Sequence, residues 1–129
     1  MGDPDSAVLA KLDAFVDMVR TRDPGLLDAL WGDGGFIMVG SEVGEICRTK
    51  SELTAKLGAI FAHPATFTFD FSSRTVRAAG SAAWIFAEGQ LVRREPDGSE
   101  QSRQYLACCI FEHVDGAWRW RQFFGSEPY

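Results

Sequence analysis

The chain lacks the features that mark membrane, secreted and nucleic-acid-binding proteins. No apolar run among its 129 residues approaches the roughly 20 residues that a membrane span requires. Its acidic start has neither the basic nor the apolar region of a signal peptide. The formal charge is −5, and the densest basic spot, Arg93-Arg94, is followed directly by Glu95. We therefore expect a cytoplasmic protein that binds neither membrane nor nucleic acid.

Cysteine and histidine, which hold metals and form disulfides, are also scarce. The three cysteines, Cys47, Cys108 and Cys109, form no even disulfide framework. The two histidines, His63 and His113, lie far apart, and neither has an acidic cluster beside it. No spacing of these residues matches a zinc site. We expect no metal and no cofactor.

The chain is rich in large apolar side chains. Hydrophobic residues make up 46% of it and aromatic residues 12%, led by ten Phe and four Trp. This is a globular composition, and the length is typical of one domain, so we expect a single domain over residues 1–129. Rings in this number predict either a large core or a cavity lined by rings.

Helices are predicted in the first half of the chain and strands in the second. An Asp-Pro pair at position 3 and another at position 23 each predict a helix start. Thr49 and Glu52 have the spacing of a capping box, and His63 precedes a proline that ends this third helix. Short strands are predicted at 36–39 and 45–48, and period-two patterns at 66–77, 81–94, 103–113 and 118–124. The predicted fold is α+β, with N-terminal helices packed in the concave face of a strongly bent antiparallel sheet. We call the space on this concave side the hollow.

The Asp-Gly pair at position 115 predicts a two-residue hairpin that fixes the register of the last two strands. If Val114 pairs with Ala117, Phe111 faces Trp120. The same register places Cys109 opposite Gln122 and Ala107 opposite Phe124. We assign this face, which is the richer in rings, to the hollow.

The preceding hairpin extends that assignment to a third strand. With a turn at Pro96 and Asp97, Glu88 shares the hollow with Trp84 and Phe86, and Arg103 is its natural partner. The expected ligand-binding residues are Trp31, Met38, Glu45, Phe61, Trp84, Phe86, Glu88, Arg103, Tyr105, Trp120, Gln122 and Phe124. Structural roles compete with binding: the rings are first of all core residues, Glu45 can support the first hairpin, and Glu88 with Arg103 can be a structural ion pair.

The opposite face of the sheet predicts an interface between subunits. It carries Leu106, Cys108, Ile110 and Phe123 in this register, which is too apolar to stand in water as one patch. We expect a homodimer with two-fold symmetry.

Several segments, in this order and spacing, resemble the SnoaL-like domains of the nuclear-transport-factor-2-like superfamily over nearly the whole chain. They are Ala29-Leu30-Trp31, Gly40-Ser41 through Gly44-Glu45, Ala83-Trp84, Arg103, Asp115-Gly116-Ala117-Trp118 and Ser126-Glu127-Pro128. The resemblance implies a cystatin-like cone and pairing through the outer sheet face. Two positions depart from the family's patterns. Phe124 stands where many SnoaL-like domains have a histidine, and Val39 where ketosteroid-isomerase-like members have a carboxylate base.

The superfamily contains enzymes, ligand binders and adaptors, so the fold does not decide the function. The two departures favour a domain that binds a small, mostly hydrophobic molecule in an apolar pocket without catalysis. The alternative is an isomerase, cyclase or hydratase acting on a polyketide- or steroid-like substrate, with Glu45 or Glu88 beside Arg103 and Tyr105. A third reading is an interaction module with a filled core. Whether the protein is an enzyme stays open.

Overall fold

The computed structural model describes residues 3–41 and 44–128, so Glu42 and Val43 of the first predicted hairpin lie outside the described residues. The elements are α1 (Pro4–Thr21), α2 (Leu26–Trp31), β1 (Ile37–Val39), β2 (Ile46–Cys47), α3 (Lys50–Ala62), β3 (Thr66–Ala79), β4 (Ala82–Arg94), β5 (Glu100–Val114) and β6 (Ala117–Ser126). Six strands form one sheet in the order β2-β1-β6-β5-β4-β3. All neighbours are antiparallel except β1, which runs parallel to β6. None of the described helices is long and apolar enough to cross a membrane.

The predicted starts of α1 and α3 are confirmed by their caps. The Asp3 carboxylate accepts a hydrogen bond from the Asp5 amide at 3.1 Å, with proline at the first helical position. Thr49 and Glu52 form the reciprocal capping box of α3. The second helix begins at Leu26, later than predicted, because the Asp23 carboxylate accepts from the Gly25 amide at 2.8 Å and holds a turn there.

Helix α1 packs into the concave face of the sheet, as the predicted α+β fold requires. Its Phe15 ring lies 5.7 Å from the Phe69 ring of β3. The same ring lies 5.7 Å from Trp120 and 4.8 Å from Phe123, both on β6. On its polar side, Asp13 of α1 forms an ion pair with Arg74 of β3. One helix is therefore joined to both sides of the bent sheet.

The hairpin between β5 and β6 follows the predicted register only part of the way. Val114 pairs with Ala117, and the pairing holds as far as Phe111 and Trp120. A β-bulge then inserts Arg121 as an extra residue. Because side chains alternate, one extra residue reverses the faces of everything beyond it. The predicted pairs of Cys109 with Gln122 and of Ala107 with Phe124 are therefore wrong.

The reversal exchanges two adjacent rings. Phe123, predicted on the subunit interface, is buried in the hollow, whereas Phe124, predicted in the hollow, is 45% exposed on the outside. Gln122 also lies outside, opposite Ile110. We call this outer side of the sheet the convex face.

The hairpin between β4 and β5 differs from the prediction by its loop. The Glu95 amide donates to the Ser99 carbonyl at 2.9 Å, and Arg94 pairs with Glu100. The Asp97 carboxylate accepts from the Ser99 amide at 2.9 Å, which holds the longer loop. A two-residue turn at positions 96 and 97 would have given the opposite parity.

The prediction that Trp84, Phe86 and Glu88 face the hollow is therefore wrong. Trp84 and Phe86 lie on the convex face, 37% and 42% exposed. Glu88 is exposed opposite Leu106 on the same face. Their neighbours Ile85 and Ala87 are buried in the core instead.

The bulge residue Arg121 ties the convex face to the loop after α2. Its guanidinium donates to Glu112 at 2.9 Å, to Asp33 at 3.2 Å and to the Gly34 carbonyl at 2.9 Å. Arg119 lies 3.5 Å from the same Asp33 carboxylate. Glu112 and Arg119 pair across the strands, as the predicted hairpin register requires near the turn, but the ion pair of Glu112 is with Arg121.

A second bulge, in β3, requires a glycine on the neighbouring strand. Phe71 and Ser72 together lie opposite Gly89 of β4. A Cβ atom at position 89 would come within 1.8 Å of the Asp70 carbonyl oxygen and 2.8 Å of the Phe71 Cα. Both atoms belong to backbone that the sheet fixes, so no side chain fits at this position.

We predict that Gly89→Ala lowers the free energy of unfolding by about 3 kcal/mol or more, because the bulge must be rebuilt. The matched control is Gly58→Ala in the interior of α3, where a Cβ meets nothing within 4 Å. That change should raise stability by about 0.5 to 1 kcal/mol, since alanine loses less backbone entropy in a helix. Urea unfolding followed by circular dichroism measures both; equal effects of the two changes would contradict the role given to Gly89.

The Asp33 contacts predict a pH dependence of stability. The Arg121 hydrogen bond and the Arg119 and Arg121 charges hold the pKa of Asp33 below its ordinary 3.8 in the folded chain. The stabilisation is therefore complete above 3.8 and is lost as the pH falls through the lower, folded pKa. Asp33→Asn should lower the melting temperature at pH 7, and the difference from the parent should shrink below pH 3.8. Asp70→Asn, at an exposed carboxylate with no ion pair among the described residues, should show no such trend.

Candidate functional site

A cavity of about 540 Å³ occupies one end of the hollow, between α1, α3 and the concave face of the sheet. Phe15 and Val19 of α1 line one side, and Leu57 and Ile60 of α3 line another. The other end of the cone is filled by Phe111 and Trp118. The hollow is therefore partly core and partly cavity.

Aromatic rings from separate strands form the apolar floor of the cavity. Phe69 of β3 meets Tyr105 of β5 at 5.1 Å in a T-shaped contact. Phe123 of β6 lies 6.1 Å from Phe69 and 4.8 Å from Phe15. Edge-to-face rings of this kind present a broad apolar surface in a fixed geometry.

Tyr105 contributes a polar group, its hydroxyl, to the aromatic floor of the cavity. The residue is only 4% exposed, and its hydroxyl lies against Gly125, where a Cβ atom would come within 1.8 Å of the oxygen. Burial and the nearby Glu127 carboxylate raise the pKa of Tyr105 far above its ordinary 10. The hydroxyl therefore stays protonated at neutral pH and can donate a hydrogen bond to a bound molecule.

Charged side chains surround the cavity's rim. Lys56 of α3 forms an ion pair with Glu45, which lies in the first hairpin directly before β2. Arg93 of β4 donates from its Nε to Glu95 at 2.6 Å. Arg103 of β5 also lines the cavity and makes no hydrogen bond or ion pair with any described residue. The rim is thus ionic, whereas the floor is apolar.

His63 lines the cavity where α3 gives way to β3. Its Nδ1 accepts a hydrogen bond from the Ala65 amide at 3.0 Å, which leaves the proton of a neutral imidazole on Nε2. The ring contacts Phe67 at 5.3 Å. Arg22 fixes the segment by donating to the His63 carbonyl at 2.7 Å and to the Ala65 carbonyl at 3.1 Å. The predicted C-cap position is confirmed, but no signal in the sequence indicated that the imidazole also lines a cavity.

The cavity brings together four of the predicted site residues: Met38, Glu45, Arg103 and Tyr105. Three others, Trp31, Phe61 and Trp120, pack in or against the core instead. The remaining five lie on the convex face, for the register reasons given above: Trp84, Phe86, Glu88, Gln122 and Phe124. The predicted pairing of Glu88 with Arg103 is wrong, because the two side chains leave opposite faces of the sheet. A binding role for the four residues in the cavity stays a prediction.

The contribution of β3 to the cavity was not predicted from the sequence. Phe67 and Phe69 both line the cavity, opposite Arg93 and Leu91 of β4. Their alternation with Thr68 and an exposed Asp70 was a usable signal, because it marks one apolar side of that strand. The sequence did not show which side chains of β4 share a face of the sheet with this apolar side of β3.

The described residues offer little for thiol or metal chemistry. Cys108 and Cys109 point to opposite sides of the sheet, as predicted, and burial raises the pKa of both thiols. Such thiols are poor nucleophiles because they stay protonated. Within residues 3–41 and 44–128, no group of three His, Cys, Asp or Glu side chains could hold a metal ion.

Comparison with solved structures finds the same architecture at low sequence identity. A proposed dehydratase of the NTF2-like family from Streptomyces avermitilis superposes with a TM-score of 0.82 at 15% identity, over 98% of this chain and 99% of that one. ActVI-ORFA from Streptomyces coelicolor gives 0.77 at 14% identity, over 95% of each chain. An NTF2-like protein with a cystatin-like fold from Novosphingobium aromaticivorans gives 0.75 at 14%, over 95% and 80%. At these identities the likeness establishes the fold alone.

No curated protein matches the chain. The sequence does match the profile of the SnoaL-like domain over residues 8–129, which is nearly its whole length. Together with the cystatin-like α+β architecture of its structural neighbours, this confirms the resemblance in the sequence. The chain belongs to the SnoaL-like domain family, and its fold is the one that the NTF2-like structures share.

Proposed function

We propose that this domain binds a small, mostly hydrophobic molecule in the cavity beside Tyr105. The observation that supports this proposal is a cavity of about 540 Å³ whose floor is aromatic and whose rim is charged. Cavities of this size, apolar with a few convergent polar groups, are the usual form of a small-molecule site. A protonated hydroxyl in the floor supplies a directional contact for a carbonyl or hydroxyl of the ligand.

The chemistry of the rim supports binding more than catalysis. Glu45 is engaged by Lys56, and Glu127 lies beside a tyrosine that stays protonated. Glu88, the other carboxylate considered for catalysis, stands on the convex face and cannot reach the cavity. The cavity therefore offers hydrogen-bond donors and cations more readily than a free general base.

The alternative function is an isomerase, cyclase or hydratase acting on a polyketide- or steroid-like substrate. His63 favours it, because an imidazole with its proton on Nε2 at a cavity wall can exchange that proton with a bound molecule. One similar structure is a proposed dehydratase, so loss of water is a reaction to test. Conversion of a bound molecule, followed by mass spectrometry and abolished by His63→Phe, would establish this alternative.

We predict that Ala59→Trp abolishes binding of a neutral apolar dye such as Nile red. Ala59 lies on α3 at the cavity wall, and an indole there fills the space that a ligand needs. The control is Ala55→Trp, one turn earlier on the same helix, exposed and away from the cavity. It should keep the parent's dissociation constant within about twofold. Equal dye fluorescence from both variants would show that the dye binds elsewhere and would remove the support for this site.

We further propose that a second copy of the chain covers the convex face. Trp84, Phe86 and Phe124 expose large rings there, and they join through Cys108 and Ile110 by cross-strand pairing. We call these five residues the convex patch. Single exposed rings are ordinary, but a contiguous group of this kind marks an interaction surface.

The charges beside the patch favour an identical partner. Arg119 and Arg121 lie next to Asp33 and Glu112, so both signs border the same apolar area. In a two-fold pair each surface meets its own copy, and a mixed border can then place opposite charges together. A patch bordered by one sign would repel itself.

We predict a dimer at micromolar concentration in light scattering. Phe86→Glu places a charge at the centre of the convex patch and should give a monomer, because its desolvation in the interface is costly. Ala78→Glu introduces the same charge at an exposed position on β3, outside the patch, and should leave the dimer intact. A parent protein that is monomeric at this concentration would overturn the proposal.

A further inference from the structure

The cavity's rim is positive although the protein is acidic. Three cations line the cavity, Lys56, Arg93 and Arg103, against the carboxylates of Glu45 and Glu127. The whole chain carries a formal charge of −5. The ion pairs of Lys56 with Glu45 and of Arg93 with Glu95 neutralise two of these cations, which leaves Arg103 of β5 as the cation with no carboxylate partner among the described residues.

The two arginines stand side by side on the concave face. Arg93 pairs across the strands with Gln101, and Leu91 pairs with Arg103. The arginines are therefore diagonal neighbours, a relation in which Cα atoms lie about 7 to 8 Å apart and long side chains meet. Like charges at such positions repel unless an anion lies between them.

Neither guanidinium is fully used by the protein. Glu95 engages the Nε of Arg93, and no Nη atom of Arg93 has a hydrogen-bond partner among the described residues. Arg103 has no polar partner in that part of the chain at all. Unlike Arg103, the arginines Arg74, Arg93, Arg119 and Arg121 each meet a carboxylate. The donors left at the rim match the planar fork that binds a carboxylate.

The other polar end of the cavity disfavours an anion. Glu127 lies close enough to Tyr105 to raise the energy of negative charge there. An anionic ligand is therefore directed with its charge toward β4 and β5. Its apolar part would then lie on the floor formed by Phe15, Phe69 and Phe123.

We propose that the ligand of this cavity is an organic acid: a hydrophobic, ring-containing carboxylate whose acid group binds between Arg93 and Arg103. The proposal rests on the proposed function, since it names the class of molecule that the same cavity takes. Tyr105 donates to a polar group in the body of the ligand, and the two arginines set its orientation. Because the rim is exposed, the attraction is partly screened and falls with added salt.

The test compares two probes that differ only in charge, 1-pyrenebutyric acid and its primary amide, by fluorescence titration. We expect the acid to bind the parent protein about tenfold more tightly than the amide, in line with a charge-assisted hydrogen bond at a partly exposed site. Arg103→Gln should remove most of that preference, because it should weaken binding of the acid much more than binding of the amide. Raising the salt concentration should reduce the parent protein's preference for the acid over the amide.

The matched control is Arg94→Gln. Arg94 follows Arg93 directly but pairs with Glu100 on the convex side, so the preference for the acid should persist. Equal binding of acid and amide by the parent would overturn the organic-acid proposal and leave the proposed cavity function standing. If neither probe binds, and Nile red also fails to bind, the proposed binding function of the cavity is contradicted as well. An equal loss of preference in Arg94→Gln and Arg103→Gln would show a general charge effect and overturn the assignment to the rim.

Discussion

The packing of Phe15 against rings from β3 and β6 is the contact on which both the core and the cavity depend. Its ring meets Phe69, Trp120 and Phe123, which belong to strands separated by β4 and β5 in the sheet. The sheet must bend for one side chain to reach both sides. The same ring then forms part of the cavity wall. Folding energy and the shape of the binding surface are therefore linked in this protein, because the contacts that close the cone also set the cavity's width.

The parts of the fold that could be predicted are those specified by local chemistry. Helix caps depend on a few neighbouring residues, and the capping box of Thr49 and Glu52 formed as its spacing indicates. The Asp-Gly turn likewise fixed the register of β5 and β6 near residue 115. Each of these signals lies within a few residues of the structure that it determines.

The parts that could not be predicted depend on single inserted residues. The Arg121 bulge leaves no turn signal in the sequence, and its effect is to exchange Phe123 with Phe124. Two adjacent phenylalanines give the same apolar pattern in either parity, so hydrophobicity could not reveal the error. The strand β4 is ambiguous for the same reason: Trp84 and Phe86 are as apolar as Ile85, which is the buried one. When both faces of a sheet are apolar, hydrophobicity does not show which face points into the hollow. For this reason only four of the twelve expected site residues line the cavity.

The closeness of the Tyr105 hydroxyl to Gly125 has a consequence for how relatives of this chain vary. A Cβ at position 125 would lie 1.8 Å from the hydroxyl oxygen and 2.6 Å from the ring carbon that bears it, so removing the hydroxyl alone would not make room. A chain that keeps a large ring at 105 must therefore keep glycine at 125, and one with a side chain at 125 must carry a smaller residue at 105. We expect the two positions to covary among homologues. That pair separates members with a large ring at this place in the cavity floor from members with a smaller side chain there.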